Sequence, residues 1–428
     1  MYDKSTYTSL NAINEKISFL QDRSGFKYDF DISPFQHFAS MRNQAEKGAE
    51  LFPQGIPHLI GATSDCLQCY YGFQLDTYMN GCTHECVYCW AKAELSKINQ
   101  WNSPVPVPID ISSLWELFYK AFETDDDFPL REVFIKRVPL RIGSMSDPFL
   151  SMERKYKNTL ETLKILKAYN YPFLFLTRSP MVAEDEYLKY MDPEKATVQF
   201  SIPTLNEQMV KLIEPGTESP YARLEALRKL NQAKVFTSVR LNPLFPNFPD
   251  GHLSGKKGSF GDRPAFDFFN PSMIEEIRSY GCKNLLAGFV HMDGKTTQAV
   301  SQKVGFDLRS LMKEEIKQTT EGFKYSAPEI RSYYEAISQK CKEVGMDFST
   351  CYLGLGESYF WKDQDLWADK KDCCNLKKNV SAFKSDTREI AFTKKMKILY
   401  PEMNSLQLIF NSGWLYRMRS YLLKNLWD

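Results

Sequence analysis

Two hydrophobic periodicities alternate along the middle of the chain. Apolar residues recur at helical spacing in several segments, the first of which follows the capping residues Ser112 and Ser113. Short apolar runs between these segments are typical of buried strands. The predicted helices are 114–122, 153–168, 184–191, 221–233, 272–280 and 328–344. The predicted strands are 133–142, 173–176, 197–202, 235–241 and 284–290.

This alternation indicates repeated βα units built on a parallel sheet. About six such units suit a barrel better than an open sheet, although periodicity does not distinguish the two. We expect an N-terminal extension over residues 1–75, an α/β domain over 76–352 and a mostly helical C-terminal extension over 353–428. A Pro-, Gly- and aromatic-rich loop at 243–271 interrupts the domain and suits a functional lid or a mobile segment.

The composition is typical of a globular enzyme. Hydrophobic residues make up 43% and charged residues 25% of 428 positions, which excludes a disordered or collagen-like chain. The 54 Lys and Arg nearly balance the 53 Asp and Glu, so the net charge of +1 provides no overall basic field for nucleic acid. No apolar run is long enough for a membrane span, and the polar N-terminus lacks the apolar core of a signal peptide. We therefore expect a cytoplasmic protein.

Ten cysteines in such a chain favour metal or redox chemistry over structural disulfides. Cys82, Cys86 and Cys89 have the spacing C-x3-C-x2-C within one tight loop. A structural zinc site normally takes four ligands. Three thiolates instead suit an iron–sulfur cluster in which one iron has no protein ligand. His84, inside the loop, is the alternative fourth ligand.

The loop at 82–89, with Tyr88 just before the last cysteine, resembles the cluster loop of the radical S-adenosylmethionine (SAM) superfamily. The resemblance implies a [4Fe–4S] cluster on Cys82, Cys86 and Cys89, with S-adenosyl-L-methionine bound to the fourth iron. One electron would cleave the sulfonium to methionine and a 5′-deoxyadenosyl radical, which abstracts hydrogen from a substrate. The resemblance also implies an external one-electron donor of the flavodoxin or ferredoxin type.

Three later segments extend the resemblance to the branch related to spore photoproduct lyase. They are GSMSDPFLSMERKYKNTLETLKIL (143–166), LFLTRSPMVAEDEYLKYM (174–191) and the EPG-containing segment 200–246. The resemblance covers about residues 75–350 and implies a partial (β/α)6 barrel with the cluster loop after its first strand. The motifs are specific for the superfamily but not for one reaction.

The resemblance also marks strand-end residues as candidate contacts to SAM. Arg178 replaces the usual lysine and could hold the SAM carboxylate bidentately. Asp147 could instead cap the next helix, and Glu214 in the EPG turn is expected to be structural. The candidate contacts are Tyr88, Ser146, Asp147, Arg178, Ser201 and Arg240.

One departure from the lyases concerns the hydrogen donor. The lyases carry a cysteine that returns hydrogen to the product radical, and Ser144 stands at that position here. A serine O–H bond is too strong for this role, so Cys351, at the end of a late strand candidate, is the substitute catalytic residue or a packing residue. Trp90 also replaces a lyase tyrosine.

Two further cysteine pairs, Cys66-x2-Cys69 and Cys373-Cys374, leave three interpretations open. They could form a second zinc or cluster site, remain reduced in the core, or act as a redox pair.

The predicted substrate is a nucleic-acid base or nucleotide, in repair or modification. The branch resemblance supports this, and Lys256 and Lys257 lie in a loop that could cover a stacked base. The alternative is a small molecule or peptide, which the near-neutral charge favours. A non-catalytic iron–sulfur scaffold is the third hypothesis. The sequence does not indicate the oligomeric state.

Overall fold

The protein folds around a sheet whose strands run mostly in one direction. The structure is a computed structural model that describes residues 61–62, 73–97, 101, 106–128, 130–245, 270–290, 292–305, 307–308, 314–316, 322–324, 327–351, 363–370, 372–385 and 387. Its strands are β1 (Gly61–Ala62), β2 (Phe73–Leu75), β3 (Tyr78–Met79), β4 (Val107–Pro108), β5 (Leu140–Ile142), β6 (Phe173–Thr177), β7 (Ala196–Ser201), β8 (Phe236–Leu244), β9 (Asn284–Phe289), β10 (Met292–Asp293), β11 (Glu314–Ile316), β12 (Gly322–Lys324) and β13 (Asp347–Thr350). Its helices are α1 (Trp90–Lys97), α2 (Ile111–Glu123), α3 (Arg131–Ile135), α4 (Glu153–Tyr156), α5 (Asn158–Ala168), α6 (Asp185–Leu188), α7 (Glu207–Ile213), α8 (Pro220–Gln232), α9 (Ser272–Ser279), α10 (Gly294–Val304), α11 (Ala327–Glu343) and α12 (Leu376–Asn379).

Eight strands form one sheet in the order β1-β2-β5-β6-β7-β8-β9-β13. β1 pairs antiparallel with β2, and the seven strands from β2 to β13 are parallel. Parallel neighbours need crossover connections, which the intervening helices provide, so the carboxyl ends of these strands share one edge of the sheet. The predicted α/β fold of partial-barrel type is confirmed, with seven parallel strands where six were expected.

The prediction of one strand over residues 133–142 is wrong in its first half. That half forms the short helix α3, and only the last three residues form β5. Val133 and Phe134 are buried in α3, and Phe134 packs edge-on against Phe118 of α2 with 5.0 Å between ring centroids. Arg137, with φ of 51°, lies between the helix and β5. Hydrophobic periodicity alone does not separate a short buried helix from a buried strand.

The two faces of the parallel sheet differ in polarity. On one face, alternate strand residues such as Val198, Phe200 and Val239 join the large apolar core that also contains the helices. Because side chains alternate along a strand, the residues between them point to the opposite face. This inner face of the partial barrel carries the buried polar residues Gln199, Ser201, Ser238, Arg240 and Asn284. Such a face can bind polar ligands.

Residues 363–385 cover part of the inner face. Trp367, Leu376 and Phe383 form a second apolar cluster with Leu174 of β6 and Leu286 of β9. The described part of the C-terminal extension contains α12 and two 3-10 turns, Gln364–Leu366 and Ser381–Phe383. The helical pattern predicted beyond residue 387 lies outside the described residues.

Polar contacts also join this segment to the sheet. The Asn375 Nδ2 group donates to Asn284 Oδ1 at 2.7 Å, and the Trp367 Nε1 group donates to Thr350 Oγ1 at 2.7 Å. Cys373 and Cys374 are buried here with 3.8 Å between their sulfurs. Cys66 and Cys69, their predicted partners, lie outside the described residues. Among the described helices, none is both long and apolar enough to cross a membrane.

Candidate functional site

The predicted cluster loop lies between β3 and α1, close to the carboxyl edge of the sheet. Cys86 is buried, whereas Cys82 and Cys89 are half-buried. α1 begins directly after Cys89, and the Lys92 backbone N–H donates to the Cys89 sulfur at 3.3 Å. The loop therefore presents three sulfurs of graded exposure from one short stretch of backbone.

The chemistry of these thiols fits metal ligands. Burial raises the pKa of the Cys82 thiol to about 12, and the nearby Asp147 carboxylate adds to the shift. Burial also raises the pKa of Cys86 well above its usual range, with added repulsion from Cys82 and Cys89. Bare thiolates are thus unfavourable here, and a bound metal would supply the positive charge that offsets their burial.

Two observations concern which metal group fits. Within the described ranges, no three His, Cys, Asp or Glu side chains converge as they would around a single metal ion. An iron–sulfur cluster differs, because each cysteine binds a separate iron. His84 does not face the thiols: its Nδ1 lies 3.2 Å from the Gly216 carbonyl oxygen and its Nε2 lies 3.2 Å from Asp147 Oδ2. The contacts of His84 therefore do not support its prediction as a fourth ligand.

The turn after α7 supports the cluster loop from one side. The Val87 N–H donates to the Ile213 carbonyl at 2.9 Å, and the Gly216 N–H donates to the His84 carbonyl at 3.0 Å. A Cβ atom on Gly216 would lie 2.1 Å from the carbonyl oxygen of Thr83. Only glycine fits at this position without displacing one of the two backbones.

The segment after β5 supports the loop from the other side. The Ser146 hydroxyl donates to the Gly81 carbonyl at 2.8 Å, and both Ser146 and Asp147 are buried. Asp76 Oδ1 accepts three consecutive backbone N–H groups, from residues 144–146, at 2.7–3.2 Å. The predicted SAM contact Ser146 is therefore already bonded to the loop backbone.

Asp147 connects several elements rather than only capping a helix. Its carboxylate accepts from the Phe149 N–H at 2.9 Å, the Thr177 hydroxyl at 2.8 Å and the Arg178 N–H at 2.7 Å. Burial alone would raise the pKa of Asp147, but His84 and these donors outweigh it and the pKa is lowered. Asp147 is therefore a buried anion that fixes the end of β6 next to the cluster loop.

The predicted contacts Tyr88 and Arg178 meet at a residue that was expected to be only structural. The Tyr88 hydroxyl donates to Glu214 Oε1, and Arg178 Nε donates to the same oxygen at 3.0 Å. The other carboxylate oxygen, Oε2, lies 2.7 Å from Nη1 of Arg223. Arg223 is fully buried, and its guanidinium also donates to the Ser201 carbonyl at 2.9 Å.

Ser201, Arg240 and Cys351 lie together on the inner face of the sheet. Ser201 pairs in register with Arg240, and its hydroxyl donates to the Asn242 carbonyl at 3.1 Å. Arg240 donates to Gln199 Oε1 at 2.9 Å and to the Cys351 sulfur at 2.7 Å. Cys351 is half-buried just after β13. No sequence pattern predicted the contact between Arg240 and Cys351.

Other predicted features are placed differently. Ser144 is half-buried after β5, which is five strands away from β13 and Cys351 in the sheet order. Trp90 is exposed, with 57% of its surface accessible. Lys256 and Lys257 lie outside the described residues. Sequence reasoning missed Asp76 and Arg223, because a lone Asp after a strand and an Arg in an amphipathic helix are common on solvated surfaces.

Known proteins resemble the chain in sequence and in fold. A model of the Radical SAM superfamily matches residues 77–254. An uncharacterised protein of Acidianus two-tailed virus is 27% identical over 174 residues, which cover 39% of this chain and 54% of the viral protein. A radical SAM Nalpha-GlyT isomerase of Pseudomonas phage M6 is 22% identical over 221 residues, 49% of this chain and 42% of the isomerase. The chain thus spans about half the length of these two relatives.

The fold comparison adds a solved structure of a spore photoproduct lyase variant with a cysteine-to-serine substitution. That structure has a TM-score of 0.50 and 15% sequence identity, and the match covers 74% of this chain and 94% of the lyase chain. At this identity the similarity establishes the fold and does not extend to the reaction.

Proposed function

The chain belongs to the radical SAM superfamily, and on that premise we propose that it is an enzyme with a [4Fe–4S] cluster on Cys82, Cys86 and Cys89. S-adenosyl-L-methionine is the proposed second cofactor. The observation that carries the proposal is the loop itself. Cys82 and Cys86, whose burial disfavours the free thiolate, lie with Cys89 on one loop, which hydrogen bonds connect to two neighbouring segments.

When bound, the cluster and SAM would supply one chemistry: cleavage of SAM by an electron from an external flavodoxin- or ferredoxin-type donor, which would provide a 5′-deoxyadenosyl radical for hydrogen abstraction from the substrate. The chain's own residues position the reactants. Tyr88 lies in the cluster loop and Arg178 lies next to it, and we assign both to SAM binding. Ser146 and Asp147 hold the loop and the end of β6 in place. Ser201 and Arg240 face the inner side of the barrel, where they can contact SAM or substrate.

The proposed substrate is a nucleic-acid base or nucleotide. The motif resemblance to the lyase branch over residues 143–166, 174–191 and 200–246 supports it. A small molecule or peptide is the second candidate, favoured by the net charge of +1. Both candidates use the same radical chemistry, so the substrate test is separate from the cofactor test.

We assign Cys351 to hydrogen return, because Ser144 cannot perform it. A thiol S–H bond is weak enough to give a hydrogen atom to a carbon radical, and this leaves a thiyl radical on Cys351. One electron from the external donor and one proton from solvent restore the thiol. The hydrogen bond from Arg240 at 2.7 Å fixes the sulfur on the inner face.

The cofactor test is anaerobic reconstitution with iron and sulfide, followed by SAM and dithionite, with 5′-deoxyadenosine quantified by chromatography. Wild type should bind the cluster and form 5′-deoxyadenosine, whereas Cys89→Ala should do neither. Cys282→Ala is the matched control, because Cys282 is buried in the core away from the loop and should leave both readouts unchanged. Full cluster iron in Cys89→Ala would refute the ligand assignment.

The substrate test adds single-stranded oligonucleotides, mononucleosides or short peptides to the reconstituted enzyme. A nucleic-acid substrate should raise the rate of 5′-deoxyadenosine formation and acquire or lose deuterium at a base or sugar carbon. Stimulation by peptides alone would replace the nucleic-acid proposal with the second candidate. A full cluster with SAM bound, but no cleavage with any of these substrates, would favour the scaffold hypothesis.

A further inference from the structure

Glu214 lies at the centre of a buried charged cluster that joins four parts of the molecule. Its carboxylate is fully buried. It contacts Tyr88 of the cluster loop, Arg178 at the end of β6 and Arg223 of α8. Arg223 also donates to the carbonyl of Ser201, the last residue of β7. One side chain thus connects the cluster loop to the carboxyl ends of two neighbouring strands.

The turn that contains Glu214 is held by its own backbone and by Arg223, which donates to Thr217 Oγ1 and to the Glu218 carbonyl. The backbone carbonyl of Glu214 closes the turn, because it accepts the Thr217 N–H at 3.1 Å and the Thr217 hydroxyl at 2.9 Å. The side chain points instead toward Tyr88 and the two arginines. Anchoring of the turn through Arg223 does not explain the contacts of Glu214 with Tyr88 and Arg178.

The carboxylate is ionised at neutral pH. Burial by itself raises the pKa of Glu214, but Arg223, Arg178 and the Tyr88 hydroxyl outweigh burial and lower the pKa to about 2. One anion between two guanidinium groups leaves this three-residue group with a net positive charge. Arg178 is the partly accessible cation of the two, since 21% of its side chain is exposed and none of Arg223 is.

Glu214 also determines how Tyr88 and Arg178 meet. Arg178 Nη2 lies 3.4 Å from the Tyr88 hydroxyl, and the guanidinium carbon lies 5.7 Å from the centre of the Tyr88 ring. Phe245 also contacts the Tyr88 ring, edge-on, with 5.7 Å between the ring centroids. Tyr88 and Arg178 both donate a hydrogen bond to Glu214 Oε1, so removal of the carboxylate takes away an acceptor from each of them.

We propose that Glu214 is a positioning residue for SAM: it fixes Tyr88 within the cluster loop and directs the charge of Arg178 toward the SAM carboxylate. This inference rests on the proposed function, in which Tyr88 and Arg178 contact SAM. In this proposal Glu214 acts only through Tyr88 and Arg178. Its loss should therefore weaken SAM binding while the three cysteines still take up the cluster.

The test compares Glu214→Gln with Glu153→Gln. Glutamine keeps the shape and one acceptor oxygen but removes the charge. Glu153 is a matched control because it is also fully buried and also accepts from tyrosine hydroxyls, Tyr78 and Tyr187, outside this group. In both reconstituted variants, iron content should match wild type. The SAM dissociation constant should rise at least tenfold in Glu214→Gln only, and the change that SAM causes in the EPR spectrum of the reduced cluster should shrink in parallel.

A second readout does not depend on the cofactors. In the metal-free chain, Glu214→Gln should speed hydrogen–deuterium exchange of the amides at residues 84–89, and Glu153→Gln should not. If wild type binds neither cluster nor SAM, the proposed function fails, while the exchange data still show whether Glu214 holds the loop. Equal SAM affinity, or equal exchange at 84–89, in the two variants would overturn the positioning role.

Tyr88→Phe covers the case in which Glu214→Gln does not fold. This variant keeps the ring and its contact with Phe245 but loses the hydroxyl that meets Glu214. It should show a smaller loss of SAM affinity in the same direction with full cluster iron. Unchanged SAM affinity and unchanged exchange in Tyr88→Phe would count against the proposal.

Discussion

Replacement of Gly216 by alanine tests how closely the cluster loop depends on the turn after α7. The new Cβ would lie 2.1 Å from the Thr83 carbonyl oxygen and 2.9 Å from the His84 Cα atom. Ordinary contact begins at 3.4 Å, so the two backbones must separate by about 1.3 Å. The obstructing atoms belong to the main chain and cannot rotate away as a flexible side chain would.

The expected destabilisation has two parts. Overpacking of this kind costs roughly 1–3 kcal/mol. Separation also stretches the 3.0 Å hydrogen bond from the Gly216 N–H to the His84 carbonyl, which contributes about 1 kcal/mol. We therefore expect the free energy of unfolding of the metal-free chain to fall by about 2–4 kcal/mol. Thr83 and His84 lie between Cys82 and Cys86, so the same displacement moves two predicted cluster ligands.

The assay measures thermal unfolding of the metal-free chain and iron per chain after reconstitution. Gly345→Ala is the control, because Gly345 has a left-handed φ of 69° with no other atom within 4 Å of a new Cβ. That variant carries backbone strain of roughly 1–2 kcal/mol away from the loop and should load iron like wild type. Gly216→Ala should lose most of its iron at the same protein concentration. Full iron loading in Gly216→Ala, together with a melting temperature equal to that of Gly345→Ala, would refute the reasoning.

Two further predictions concern Glu153 and Cys351. Burial raises the pKa of Glu153 from 4.5 to about 7, so its stabilising contribution is complete below pH 4.5 and is lost as the pH rises through 7. The loss in the free energy of unfolding amounts to about 3 kcal/mol. The melting temperature of wild type should therefore fall between pH 5 and 8, and that of Glu153→Gln should change less. Equal slopes of melting temperature against pH in the two proteins would contradict this. For hydrogen return, Cys351→Ala should still form 5′-deoxyadenosine, but the substrate product made in D2O should contain less deuterium than with wild type or the buried-cysteine control Cys341→Ala. Equal deuterium incorporation would exclude Cys351 as the donor.

The sequence alone was sufficient to predict the parallel sheet and to single out the three-cysteine loop. Alternating apolar periods reflect local backbone geometry, and a spacing such as that of Cys82, Cys86 and Cys89 brings its members together whatever the rest of the fold does. Ser201 ends β7 as predicted, whereas Arg240, predicted to end its strand, lies in the middle of β8, in register with Ser201. The strand predicted over 133–142 failed because its apolar residues suit a buried helix equally well.

The contacts around the site depended on the tertiary structure. Tyr88 and Glu214 are 126 positions apart, and Arg240 and Cys351 are 111 positions apart, so no local pattern relates them. In the sequence, Glu214 belongs to a turn and Arg223 to an amphipathic helix. Only the folded chain shows that both are buried with opposite charges, where a carboxylate must find cationic partners because water is absent. The sequence thus provided the candidate residues for the chemistry through local patterns, and the tertiary structure decided which of them contact each other.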